Sequence, residues 1–169
     1  MTLRRDNFVV SAKGWGRFQN LRFPVALGRN RFVHDKKEGD GAAPLGEFRL
    51  EAVYFRPDRI VKPRATLPTI PIRPWDGWCD DPADPAYNKQ VRCPYPASVE
   101  KIFRSDNLYT ICVVFSANRN PVLPGKGSAL FVHIWRAPRF PTAGCIALSL
   151  GHLSFILRRW TRNARLILC

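Results

Sequence analysis

The chain is 169 residues long, 46% apolar and 24% charged, which is the composition of a globular domain long enough to bury a core without disulfide support. Its formal net charge of +14 points to an anionic partner: nucleic acid, a membrane face or an acidic polymer such as cell-wall material. No nucleic-acid-binding motif accompanies the charge, no run of about 18 apolar residues predicts a transmembrane helix, and the opening MTLRRDNFVVSAKGWG lacks the apolar stretch of a signal peptide.

In chain order, short apolar runs bounded by Gly or Asn predict strands at FVVSA (from Phe8), RFPVAL (from Arg22), RFVHD (from Arg31) and Phe48 to Tyr54. Between the last two, Glu38 to Phe48 is rich in Gly and Pro and reads as a loop. Residues 57–96 hold most of the prolines together with Trp75, Trp78 and Tyr87. That is too long for a plain connection and too aromatic for a disordered linker, so it reads as a folded insertion or lid. A short helix is expected over Ser98 to Arg104, then strands at Leu108 to Phe115 and Ser128 to Trp135. Leu153, Ile156, Leu157 and Trp160 fall on one helical face, with Arg158, Arg159 and Arg162 where positive charge suits the helix dipole. ARLILC closes the chain as a strand. The pattern predicts one mainly β (α+β) domain over residues 1–169, with one or two helices and 57–96 as lid.

Five cysteines occur at irregular spacing with no C-x-x-C pair, which argues against a zinc ribbon or a thioredoxin-like site. Cys112, in YTICVVF, reads as a core thiol, whereas Cys79 and Cys93 flank a Pro-rich loop and can either pair or stay free. Cys145 differs. It follows Thr142-Ala143-Gly144, twelve residues after His133 at the end of an apolar strand. Gly144 permits a sharp turn that presents a thiol and aims backbone N–H groups at one point, as a tetrahedral oxyanion requires. An adjacent imidazole can take the thiol proton. The residues alone leave two readings open: an acyl-transfer pair, or a small buried thiol and a structural histidine. His34 and His152 read as structural, and Asp40 as a turn former.

TAGCIAL (from Thr142), KEGDGAAPLGEF (from Lys37) and PVLPGKGSALFVH (from Pro121) together resemble the marks of the L,D-transpeptidase catalytic domains of the YkuD type. The resemblance implies a β-sandwich-like fold and a cysteine-dependent acyltransferase that needs no metal or cofactor. Cys145 would be the nucleophile and His133 the general base, with the N–H groups of Gly144, Cys145 and Ala143 around the oxyanion. The implied partners are donor and acceptor peptidoglycan stem peptides, the implied location is the periplasm or cell envelope, and carbapenem β-lactams are implied covalent inhibitors. An amine acceptor gives a cross-link, from a diaminopimelate or an L-Ala donor carbonyl. Water gives an L,D-carboxypeptidase, and a non-catalytic module binding an anionic polymer is the other alternative. Members commonly carry Arg two residues after the cysteine, where Ala147 stands here. Arg136 or Arg139 is expected to supply that charge. Thr142, Ala143 and the cluster Trp78, Asp80, Asp81, Tyr87 and Asn88 complete the expected substrate-binding set.

Overall fold

The computed structural model describes residues 4–169. Residues 1–3, which begin the segment read above for a signal peptide, lie outside the described residues. The strands in chain order are β1 (Phe8–Ser11), β2 (Trp15–Phe18), β3 (Leu21–Pro24), β4 (Phe32–Val33), β5 (Ala43–Pro44), β6 (Gly46–Phe48), β7 (Leu50–Phe55) and β8 (Thr69–Pro71). They continue with β9 (Asp76–Cys79), β10 (Gln90–Arg92), β11 (Val99–Lys101), β12 (Ile111–Phe115), β13 (Phe131–Ile134) and β14 (Ile146–Leu148). The helix α1 (Leu150–Arg159) and the last strand β15 (Leu166–Leu168) complete the chain.

The strands form two five-stranded sheets, in the orders β3-β2-β1-β15-β6 and β14-β13-β12-β7-β8, a three-stranded sheet β10-β9-β11, and the pair β4-β5. Strand periodicity explains the layering, because alternate side chains point to opposite faces. In the second sheet, Val53, Ile111, Val113, Val132, Ile134, Ile146 and Leu148 enter one core with Phe8, Val10, Phe18 and Leu166 of the first sheet. The intervening residues Tyr54, Cys112, Val114, Phe131 and Cys145 form a second core with Trp78 and Ile102 from the three-stranded sheet and its flank. Strands β12, β13 and β14 are therefore buried at every position, and apart from His133 they are apolar throughout.

Helix α1 begins at Ser149, whose Oγ accepts the His152 N–H at 3.2 Å. It buries Leu153, Ile156 and Leu157, each stabilising by about 1.5–3 kcal/mol, and leaves Arg158 and Arg159 exposed in its last turn. Trp160 stacks on Phe18 with ring centroids 6.2 Å apart. No helix among the described residues is long and apolar enough to cross a membrane.

Two local expectations need correction, and two other readings gain detail. The segment expected to be helical, Ser98 to Arg104, contains β11 instead, because its backbone pairs with β9 (Val99 opposite Cys79, Glu100 opposite Trp78). The Gly/Pro-rich stretch Glu38 to Phe48 is not all loop, since β5 pairs with β4 and β6 with β15. Residues 57–96 are divided: β8 forms the edge of the second sheet, while β9 and β10 build the three-stranded one. Cys79 and Cys93 are both free. The antiparallel register sets Cys93 opposite Trp75, four residues from Cys79, and its sulfur lies beneath Gly77.

Candidate active site

The parallel pairing of β13 with β14 aligns Val132 with Ile146 and His133 with Ala147. His133 and Cys145 consequently point to the same face of the sheet, the one carrying Phe131 and Cys112. Both line a cavity of about 410 Å³. The turn at 142–145 lines it together with Arg136 and Phe140, as do Asp80, Glu100, Tyr109, Lys36, Glu38 and Ser128.

The turn is built by residues 142–145. Thr142 Oγ1 donates to the Cys145 carbonyl at 2.7 Å and accepts the Gly144 N–H at 3.2 Å. The Gly144 N–H is thus engaged, which leaves the oxyanion expected of this turn to the amides of its neighbours. Gly144 has φ 139°, and a Cβ there would meet the Ala42 carbonyl oxygen at 2.8 Å, so only glycine fits. Gly28 is needed for a related reason: its Cα packs directly on Gly144 and Gly41, with no room for a side chain. The Asp40 turn presses against the thiol-bearing turn through these contacts. Asp40 is held by Lys36 at 2.7 Å and by the N–H groups of Lys37 and Ala42 at 2.8 and 2.9 Å.

The thiol does not bond to the imidazole. Cys145 Sγ donates to the Ala129 carbonyl at 3.3 Å and accepts the Phe131 N–H at 3.4 Å. Burial pushes the thiol up to about 12, with the Phe131 N–H partly offsetting it. His133 Nδ1 lies 2.8 Å from the Ile134 carbonyl. A carbonyl only accepts, so Nδ1 carries the proton and Nε2 the lone pair. Burial lowers His133 to about 4, and the carbonyls of Ile134 and Leu108 partly offset this. At neutral pH the site therefore holds a neutral thiol and a neutral imidazole. Such a pair can pass a proton as a nucleophile attacks, rather than storing a thiolate beforehand.

Of the other expected site residues, Ala143 and Arg136 are exposed and Asp80 is partly buried; all three line the cavity. Arg139 lies outside it, with its guanidinium carbon 4.6 Å from the Trp15 ring centroid. Trp78, Tyr87 and Asn88 are each only 2% exposed and stand behind the cavity wall. Trp78 packs edge-on against Phe131 at 5.1 Å, Tyr87 donates to Glu38 and accepts from Gly127 N–H, and Asn88 bonds Trp78 and Ala129. Asp81 accepts the Ala83 N–H in a turn. Asp80 Oδ1 is the buried side-chain oxygen without a hydrogen-bond partner among the described residues. His152 stacks on Phe23 at 4.5 Å and bonds the Ser149 cap, whereas His34 is exposed.

Sequence reasoning missed Lys36, Glu38, Glu100, Arg104, Tyr109 and Ser128 as cavity residues. Glu100 accepts from Tyr109 at 3.0 Å and pairs with Arg104 at 3.3 Å, and Ser128 donates to Glu38 at 2.7 Å. Glu100 lies in β11, and Arg104 follows shortly after it. Their place in the site follows from the pairing of β11 with β9.

Sheets on both sides of a twice-buried central layer, and a cleft that sets a cysteine on a glycine turn beside a histidine, define a β domain with a cysteine–histidine cleft. The model of the L,D-transpeptidase catalytic domain, YkuD, matches residues 6–167, and the chain belongs to that family. Among solved structures, the helical cell shape determining protein Pgp2 from Campylobacter jejuni is similar over 95% of this chain and 46% of that one, with 15% identity and a TM-score of 0.46. This chain thus spans less than half of that protein. No curated protein matches the sequence.

Proposed function

We propose that residues 1–169 act as one catalytic domain of a cell-envelope peptidoglycan L,D-transpeptidase, with Cys145 as nucleophile and His133 as proton carrier. The observation that carries the reading is the shared cavity, in which thiol and imidazole lie on one sheet face beside a turn that only glycine can make. Membership of the YkuD family supports the substrate class.

The thiol attacks the donor carbonyl as its proton passes to His133 Nε2. The tetrahedral oxyanion is met by the backbone N–H groups of Ala143 and Cys145, since that of Gly144 is held by Thr142. Collapse expels the residue after that carbonyl as an amine, which leaves with the proton from His133, and a thioester remains. A second stem's amine then attacks the thioester, His133 takes and returns a proton, and the products are a new amide and the free thiol. Water in place of the amine gives carboxypeptidase trimming by the same steps. Arg136 at the cavity mouth suits a stem carboxylate, and the unpartnered Asp80 oxygen suits an acceptor ammonium group.

Incubation with purified muropeptides, followed by mass spectrometry, tests the reading. Cross-linked dimers are expected from the wild type and none from Cys145→Ala. A carbapenem is expected to add once, at Cys145, and more slowly in His133→Ala. A wild-type protein that neither acylates nor alters muropeptides would sink the proposal.

A further inference from the structure

The carbonyl that holds the Cys145 thiol belongs to Ala129, and the Ala129 backbone is unusual. Its φ is 48°, a left-handed value that alanine adopts only when its surroundings impose it. A residue of the 57–96 segment holds its N–H. Asn88, itself left-handed at φ 56°, accepts the Ala129 N–H on Oδ1 at 3.2 Å. The amide orientation is unambiguous. Oδ1 also accepts the Trp78 indole N–H at 2.9 Å, and Nδ2 donates to the Asn118 carbonyl at 2.7 Å. Asn88 is not among the residues lining the cavity, but Ala129, whose N–H it accepts and whose carbonyl accepts the thiol S–H, links it to Cys145.

We propose that Asn88 is a positioning residue for the nucleophile: it fixes the Ala129 residue so that its carbonyl accepts the Cys145 S–H and holds the sulfur at the mouth of the glycine turn. The insertion thereby sets the nucleophile's resting place without contacting substrate. As a claim about catalysis this rests on the acyl-transfer reading. As a claim about the thiol it does not, so the two can fail separately.

Asn88→Gly is the appropriate variant, because glycine keeps φ 56° without strain and removes only the side chain. The readout is the pH profile of iodoacetamide alkylation at Cys145, followed on its own peptide by mass spectrometry. A bond from the S–H to a carbonyl favours the protonated thiol, so its loss is expected to move the alkylation midpoint down by about one pH unit. Carbapenem acylation at the same cysteine is expected to fall about tenfold, because a displaced sulfur meets the carbonyl less often. Trp78→Phe breaks the other Oδ1 bond, spares Ala129, and is expected to keep the wild-type midpoint. A folded Asn88→Gly protein with an unshifted midpoint overturns the proposal, as does an equal shift in Trp78→Phe. Hydrogen exchange on the wild type supplies a measurement independent of any variant: the Ala129 amide is expected to be protected, and exchange at the rate of an open loop overturns the assignment. If neither protein reacts with carbapenem while the alkylation shift is present, the acyl-transfer reading fails and the positioning role stands.

Discussion

His133 ties acid stability to the candidate site. Its pKa falls from 6.5 to about 4 on folding, chiefly because burial penalises the imidazolium. As pH drops below 6.5, the unfolded chain binds a proton that the native site refuses, so unfolding is favoured. The stabilisation is complete above pH 6.5 and is lost as pH falls toward 4. At 1.36 kcal/mol per pKa unit the whole gap corresponds to about 3 kcal/mol, with about 2 kcal/mol already lost at pH 5. The perturbation is His133→Asn, whose side-chain amide can keep the bond to the Ile134 carbonyl but does not titrate. Urea unfolding of both proteins between pH 4 and 7.5 gives two stability curves, and their difference isolates His133 from the other titrating groups. The wild type is expected to lose about 2–3 kcal/mol more than the variant over that range. Parallel curves would refute the claim that a neutral, buried imidazole sits at this site.

Gly144→Ala places a Cβ 2.8 Å from the Ala42 carbonyl at φ 139°; strain and overpacking of about 2–4 kcal/mol are expected, seen as a fall in Tm of about 10 °C and slower carbapenem acylation. Thr142→Val removes both bonds that brace the turn; a loss of about 1–2 kcal/mol by urea unfolding is expected, with acylation reduced more than stability alone explains. Tyr87→Phe leaves the Gly127 N–H and Glu38 without the phenol oxygen; it should cost about 1–3 kcal/mol while Cys145 keeps its alkylation profile, since Ala129 is held by Asn88.

Cys145 and His133 were legible because their chemistry and spacing are local. A glycine before the thiol and an apolar strand ending in histidine are visible along the chain. The strands β1, β7, β12, β13 and β15 and the helix face of Leu153, Ile156 and Leu157 were legible for the same reason: burial imposes a period, and the period is written in the residues. Trp78, Tyr87 and Asn88 stood out by composition as a polar-aromatic cluster, but composition does not say which side of a wall a residue occupies. Pairing of β9 with β10 and β11 fixes Trp78, and bonds to the Gly127 and Ala129 N–H groups hold Tyr87 and Asn88 inward.

The sequence by itself determined the mainly β character and the turn around Gly144, and it marked Cys145 and His133 as the candidate pair. Each of these depends on side-chain chemistry and on neighbours within a few positions. Only the tertiary structure decided which strands pair, and therefore that Glu38, Glu100 and Ser128 share a cavity with Cys145, that the thiol rests on Ala129 rather than on His133, and that Asn88 lies behind it. Those facts depend on how distant segments pair; for Glu100, within β11, a register shift of one residue would turn the side chain to the opposite face.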